Sequence, residues 1–302
     1  MEPPGVGAAY GRALELCGRI GDTPELFPVL FGLSLFYLVR AELKKTRELG
    51  KQLLNLAQGV GDPALLLEAH ERLGIASFFL GEPTIALEHW DEGVALYDPE
   101  RQCSHAFVPG QYSGVVCLGW AGVALWHLGY PAQALKRSNE ALALARKIAH
   151  PFTVAGALFS AAWIHALRGE WPMAAEYAEA TIVISAEQGF ADWLLLGTFY
   201  RGLALAGQGR TDEGIAQMRD ALAAMPTIGF ELARPYYLAV LAAASGKPGR
   251  TDDALALLAE ALAVGEKRDE RIWEAELYRL KGEPAFRVRA FIRSGCLFPT
   301  RH

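Results

Sequence analysis

Apolar positions recur along the chain with helical spacing, and the pattern repeats every forty residues. Gly129, Gly169, Gly209 and Gly249 mark this repeat, because each follows an apolar stretch and precedes a polar or proline-containing start. A glycine that ends one helix, followed by Thr, Asp or Pro that opens the next, is typical of a helical hairpin. Gly81 marks the same kind of turn one unit earlier. The pattern therefore predicts a series of antiparallel helix pairs.

Small residues occur at fixed distances from these turns: seven residues before, and five and twelve residues after. In one unit these positions are Gly202, Gly214 and Ala221. Antiparallel helices approach closely only where side chains are nearly absent, and larger residues then fill the grooves. No segment shows sustained strand alternation. We predict six helix pairs, near residues 24–58, 63–97, 113–148, 151–188, 191–225 and 231–266. Further helices are expected near 6–20 and 269–281.

Composition and charge narrow the class of protein. The chain has 302 residues, of which 52% are apolar, and this much apolar surface excludes general disorder. A net charge of −5 argues against nucleic-acid binding, which needs a basic face. The four cysteines are scattered without a CxxC pair, which favours reduced thiols in a cytoplasmic protein. The longest apolar run, Phe27 to Val39, is too short to cross a bilayer, so no membrane contact is expected.

The small residues around each turn glycine resemble the tetratricopeptide-repeat (TPR) pattern. The usual TPR unit has about 34 residues, so a period of forty implies longer helices. The resemblance implies an all-α fold, a right-handed superhelical solenoid of about six to seven antiparallel helix pairs. Such units bury their apolar faces against their neighbours and share one continuous core.

A closer likeness covers residues 8–283. It is carried by residues 26–33, 104–107, 187–190, 214–218, 231–236 and 274–283. These segments are similar to the C-terminal helical repeats of bacterial multidomain signalling proteins. In those proteins a cyclase-like or DNA-binding output module precedes a P-loop ATPase domain, so the likeness implies a possible upstream module of this kind. No GxxxxGK motif followed by Ser or Thr occurs here, so nucleotide hydrolysis is not carried over.

The last residues differ from the rest of the chain. We predict one solenoid domain over 1–283 and a basic C-terminal tail over 284–302. The tail has no acidic residue and four arginines, Arg287, Arg289, Arg293 and Arg301. Terminal segments are commonly untethered, so we expect this tail to be disordered. A basic anchor for an acidic partner is the alternative.

Catalytic and metal-binding patterns are weak. Neither a GxSxG elbow nor a cysteine-centred signature occurs, so the chain is expected to be non-enzymatic and to need no cofactor. The nearest metal-like cluster is residues 88–92, where His89 and Glu92 share a helix face. A metal site in a bundle needs matching ligands from a facing helix. We expect Glu68 and His70 on the neighbouring helix to point in different directions, so no metal site is predicted.

A long connection interrupts the repeat between Tyr97 and Gly114. Connections of this length in compact domains are uncommon and often functional. Its polar side chains are candidates for contacts to a small ligand: Arg101, His105, Gln111 and Tyr112. In the alternative interpretation, Phe107 and Val108 fix the loop over a groove, and the polar groups satisfy its backbone.

The inner surface of the superhelix is the second candidate site. In TPR arrays the first helix of each pair lines the concave groove. Here that lining is aromatic and apolar: Phe78, Phe79, Trp126, His127, Phe159, Trp163, Phe199 and Tyr236. Exposed apolar patches mark binding surfaces, and aromatic anchors contribute much of the binding energy. In the alternative, a tight superhelix turns these residues into core.

Two functions follow from these patterns. The first is a non-enzymatic interaction module that binds a protein or peptide in the aromatic groove and serves a bacterial signalling system. The second is a small-molecule sensor that controls a cyclase or transcriptional output. An open continuous groove favours the first, and a deep closed cavity favours the second.

Overall fold

The computed structural model describes residues 26–98, 112–245 and 251–282, together with residues 9, 11 and 12. In these ranges thirteen α-helices follow one another without a β-strand. They are α1 (Leu26–Val39), α2 (Leu43–Val60), α3 (Pro63–Phe79), α4 (Pro83–Ala95), α5 (Ser113–His127), α6 (Pro131–Ile148), α7 (Pro151–Leu167), α8 (Trp171–Gln188), α9 (Ala191–Gly207), α10 (Thr211–Ala224), α11 (Arg234–Ser245), α12 (Thr251–Arg268) and α13 (Glu274–Gly282). A short 3-10 helix, Met225–Ile228, follows α10.

The helices pair as the forty-residue pattern predicts. Each helix packs on the next along the chain, and the first helices of successive pairs also contact each other, α3 with α5, α5 with α7 and α7 with α9. The prediction of an all-α solenoid of six helix pairs is therefore confirmed for the described residues.

The turns between paired helices have one recurring backbone geometry. Gly209 has a φ of 95°, a left-handed conformation that favours glycine. The Arg210 amide then donates to the Leu205 carbonyl at 2.9 Å and closes the turn. Ala41 occupies the equivalent position in the first pair with a φ of 56°. The repeated glycines are thus explained by the sharp turn from an inner to an outer helix.

The small residues lie where paired helices touch. A Cβ atom added to Gly202 would lie 2.8 Å from the Gly214 carbonyl oxygen, and one added to Gly214 would contact the Gly202 carbonyl oxygen. Backbone therefore packs directly on backbone at this crossing. The predicted reason for the small residues is confirmed here.

The superhelix closes on itself. The Glu231 amide donates to the Val39 carbonyl at 2.7 Å, and the Arg271 amide donates to the Phe79 carbonyl at 2.8 Å. Arg268 adds a guanidinium hydrogen bond to the Arg40 carbonyl at 2.8 Å. The ends of α1 and α3 therefore contact the connections that precede α11 and α13.

These closing contacts explain two differences from the predicted helix bounds. The sequence predicts helices from 231 and from 269, whereas α11 begins at Arg234 and α13 begins at Glu274. The amides of Glu231 and Arg271 are used in contacts with distant helices, so the local helices start after them.

Several predicted features lie outside the described residues. These are most of the helix near 6–20, the turn at Gly249, the centre of the 98–114 connection and the tail over 284–302. Among the helices that the structure does describe, none is both long and apolar enough to cross a bilayer.

Candidate functional site: a central cavity

The residues predicted to line the groove face the inside of the superhelix, where most of them are buried. The exposed fraction is at most 4% for seven of them: Phe78, Phe79, Trp126, Phe159, Trp163, Phe199 and Tyr236. Closure of the superhelix explains this burial, because each inner helix is covered by its partner, its neighbours and the connections opposite. The structure thus differs from an open aromatic groove, and contact of these side chains with a partner stays a prediction.

Five of these eight residues belong to one aromatic cluster centred on Trp273. The Trp273 ring lies 4.6 Å from the Tyr236 ring and 6.2 Å from the Trp163 ring, measured between centroids. It also contacts the rings of Phe78, Phe79 and His127. Trp273 itself lies in the connection before α13 and is 2% exposed. One side chain from that connection therefore packs against α3, α5, α7 and α11.

His127 takes part in this cluster as a neutral ring. Its Nδ1 donates to the Val123 carbonyl at 2.8 Å. Burial lowers the pKa of His127 to about 4, so the ring is uncharged near pH 7. It packs edge-on against Phe78, with 5.1 Å between ring centroids.

Inside the ring of helices lies a cavity of about 380 Å³. Each of the inner helices α1, α3, α5, α7, α9 and α11 contributes to its wall. The lining is mainly apolar and aromatic, and includes Leu35, Phe36, Ile75, Phe79, Val116, Trp120, Phe152, Phe159, Trp193 and Tyr237. A concave apolar site of this size with few polar groups is typical of ligand sites. Phe79 and Phe159 are the two predicted groove residues in its wall.

Two charged side chains of α3 stand in the cavity wall. Arg72 is 0% exposed and its guanidinium lies 4.6 Å above the Phe31 ring centroid. One terminal nitrogen of Arg72 is 3.7 Å from the Glu71 carboxylate. That nitrogen and Nε make no hydrogen bond within the described part of the chain. The cavity wall thus holds a buried guanidinium group, that of Arg72, with two nitrogens that make no hydrogen bond in the described residues.

Glu68 lies one turn earlier on α3 and is also buried. Burial, with a further contribution from the Glu71 charge, raises the pKa of Glu68 to about 9. Glu68 is therefore protonated near pH 7. Asp192 on α9 also lines the cavity, and burial raises its pKa.

Of the four predicted ligand-loop residues, the described part of the chain includes only Tyr112, which meets this cavity. Tyr112 is half-buried, lines the cavity and lies 6.0 Å from the His150 ring centroid. Arg101, His105 and Gln111 lie outside the described residues, so their roles stay predictions.

Sequence reasoning missed three residues that define the site: Arg72, Trp120 and Trp273. Arg72 had a signal, because Glu68, Glu71 and Arg72 interrupt an otherwise apolar inner helix. Trp273 lies eighty residues after Trp193, two periods of the repeat, but it was placed in a terminal helix. Its position at the centre depends on closure of the superhelix, which the local pattern does not encode.

A second cluster lies on the α3–α4 pair. The Nδ1 atoms of His70 and His89 are 3.1 Å apart, and a Glu92 carboxylate oxygen is 3.1 Å from His70 Nδ1. The sequence predicts no metal site here, because Glu68 and His70 were expected to point in different directions. The structure places His70, without Glu68, beside His89 and Glu92.

Known proteins share this architecture. A Rap protein complexed with competence and sporulation factor matches with a TM-score of 0.64 at 13% identity, over 94% of this chain and 80% of that chain. The apo form of RapI matches with a TM-score of 0.56 at 13% identity, over 84% and 96% of the two chains. The fold is a TPR-like helical repeat. A Rap conjugation gene regulator in complex with a Phr peptide gives a TM-score of 0.55 at 14% identity, over 91% and 86%.

A curated relative at the sequence level is an uncharacterized protein, R02095, of Rhizobium meliloti (strain 1021). It is 22% identical over 275 residues, which make up 90% of this chain and 26% of the relative. The TPR-like chain thus spans about a quarter of the length of the curated relative it matches. No protein-family model matches the chain.

Proposed function

We propose that the chain is a non-enzymatic binding module that holds a short, mainly apolar segment of a peptide or protein partner in the central cavity. The observation that carries this proposal is the cavity itself, to which all six inner helices contribute. A ligand there touches every repeat of the solenoid at once. Binding of a ligand in the cavity would therefore affect the packing of the whole superhelix.

The chemistry of the wall favours a particular kind of occupant. The aromatic lining suits apolar side chains, and Arg72 offers guanidinium donors to an acidic group beside them. Charge-assisted hydrogen bonds to a carboxylate are among the stronger polar contacts available to a buried arginine. We therefore expect a bound peptide to combine apolar residues with an acidic side chain or a free C-terminal carboxylate.

Two structural neighbours support a peptide as the occupant. One is complexed with competence and sporulation factor and another with a Phr peptide. The relative in Rhizobium meliloti extends well beyond the matched region. We propose that this chain serves as the regulatory part of a longer or associated signalling protein, with an ATPase or cyclase-like module as the output.

The test is peptide selection on the purified full chain, followed by affinity measurement on two valine variants. Val116→Trp fills the cavity, because Val116 is half-buried in its wall. Val183→Trp adds the same bulk on α8, where Val183 is 48% exposed. Selected peptides should bind the wild type and Val183→Trp equally and bind Val116→Trp at least about tenfold more weakly, a difference of about 1.4 kcal/mol. Equal binding to all three proteins would contradict the proposal.

An apolar cavity also suits the second function, a small-molecule sensor. Native mass spectrometry of the chain purified from its own host distinguishes the peptide-binding function from the small-molecule sensor function. A bound mass of a small organic molecule, absent from Val116→Trp and present in Val183→Trp, would assign the cavity to a metabolite. A bound peptide mass with the same dependence would support the first function.

A further inference from the structure

The three side chains on the α3–α4 pair form a donor set separate from the cavity. His70 belongs to α3, and His89 and Glu92 belong to α4. None of them lines the cavity. His70 is 8% exposed, whereas the Glu92 side chain is 63% exposed, so the group opens to solvent on one side.

The spacing of the donor atoms is that of a metal coordination shell. His70 Nδ1 lies 3.1 Å from His89 Nδ1 and 3.1 Å from a Glu92 carboxylate oxygen. All three donor atoms fall within 4.8 Å of one another. Ligands at about 2.0 Å from a tetrahedral zinc ion are separated by about 3.3 Å, close to these contacts.

We propose that His70, His89 and Glu92 form a three-ligand site for a zinc-class divalent cation. Two imidazole nitrogens and one carboxylate oxygen are a donor set that Zn²⁺ accepts readily, and that Co²⁺ and Ni²⁺ share. The solvent-exposed side of Glu92 leaves the fourth position to water. The ion would connect α3 to α4 at a point where the two helices otherwise meet through side-chain packing.

The protonation state of the two rings suits a metal ligand. Burial lowers the pKa of His70 and of His89, and the Glu92 charge acts in the opposite direction on both. The balance keeps both imidazoles neutral near pH 7, which is the form that binds a metal. In the metal-free protein one Nδ1–H can donate to the other Nδ1 across the 3.1 Å contact, and a metal bound at both Nδ1 atoms requires that proton to sit on Nε2 of the same ring.

The test is titration of the untagged, chelator-treated full chain with Co²⁺ and then Zn²⁺. One equivalent of Co²⁺ should give the visible absorption of a four-coordinate site, and Zn²⁺ should displace it. His89→Ala should weaken Zn²⁺ binding by at least about tenfold, since two imidazoles fall to one. Glu92→Gln changes a largely exposed side chain, so it tests the site without risk to folding.

His165→Ala is the matched control. His165 contacts a single carboxylate, with Nδ1 2.6 Å from Glu170, and no third donor joins this pair in the described residues. This variant should bind Zn²⁺ like the wild type. Absence of the cobalt spectrum in the wild type would overturn the proposal, as would equal Zn²⁺ affinity of wild type, His89→Ala and Glu92→Gln. The readout is independent of any cavity ligand.

Discussion

Inner and outer helices of the solenoid differ in how many of their residues are buried. In the inner helix α3 every residue from Leu67 to Phe79 is buried, including charged ones. In the outer helix α8 the buried residues are four small ones, Ala174, Ala178, Thr181 and Ser185. An amphipathic outer helix needs one apolar stripe. The inner helix α3 is covered on nearly all sides, because the superhelix closes, and it belongs to the core of the molecule.

The largest expected effect tests the inner side. Trp163 on α7 is 1% exposed and packs against Trp120, Tyr200, Tyr236 and Trp273. Trp163→Ala should lower the free energy of unfolding by about 3–5 kcal/mol, the cost of an aromatic cavity in a core. Urea denaturation followed by circular dichroism measures it.

The control for this variant is an aromatic residue at the start of an outer helix. Tyr130, just before α6, is 51% exposed, so Tyr130→Ala should change stability by less than about 0.5 kcal/mol. If Trp163→Ala also had a near-neutral effect, Trp163 would belong to an open groove and the contrast between inner and outer helices would fail.

A smaller effect is expected where inner and outer helices touch. Gly214 on α10 faces the backbone of α9, and an added methyl group would contact the Gly202 carbonyl. Gly214→Ala should destabilise by about 1–3 kcal/mol, because the two backbones must separate. Gly59→Ala on α2 meets nothing within 4 Å and should be neutral or stabilising by up to about 1 kcal/mol. Similar melting temperatures for the two variants would place the predicted repeat register in doubt.

A pH-dependent effect is expected in the connection that closes the superhelix. Glu270 is buried, accepts a hydrogen bond from the Trp273 indole at 2.9 Å, and has a pKa raised by burial from 4.5 to about 8. Between these two values the folded chain retains a proton that the unfolded chain has lost. Stability contributed by this group is therefore present below about pH 4.5 and falls as the pH rises toward 8.

Glu270→Gln removes this titration and retains the oxygen that accepts from Trp273. Relative to the wild type, the variant should gain stability continuously from pH 5 to pH 8, because each pH unit between the two pKa values costs the wild type up to about 1.4 kcal/mol. The exposed Glu266→Gln on α12 is the control and should show a difference of less than about 0.5 kcal/mol at each pH. A constant difference between Glu270→Gln and the wild type across this range would contradict the buried, protonated state of Glu270.

The local repeat was predictable from the sequence because its determinants are local. The left-handed turn at Gly209 and the backbone contact at Gly202 each require a glycine or another small residue, so such residues recur at fixed spacing along the chain. Closure was not predictable, because it depends on the small rotation between successive pairs summed over the whole solenoid. Phe78 and Trp163 therefore fitted both an open lining and a core in the sequence, and only closure distinguishes the two.

The candidate site was likewise predictable only where its determinants are local. Phe79 and Phe159 were predicted on the inner face, whereas the roles of Arg72 and Trp120 depend on the cavity that α1 and α9 complete. The pair formed by His70 and His89 depends on how α3 rotates against α4, which the spacing within each helix does not determine.

Hydrogen–deuterium exchange of the closing amides tests closure of the superhelix most directly. The amides of Glu231, Leu232 and Arg271 lie outside regular helices, yet they donate to the carbonyls of Val39 and Phe79. If the superhelix closes, these three amides should exchange as slowly as amides inside the inner helices. Exchange at the rate of an unstructured peptide would show an open superhelix, and the inner aromatic residues would then line a groove.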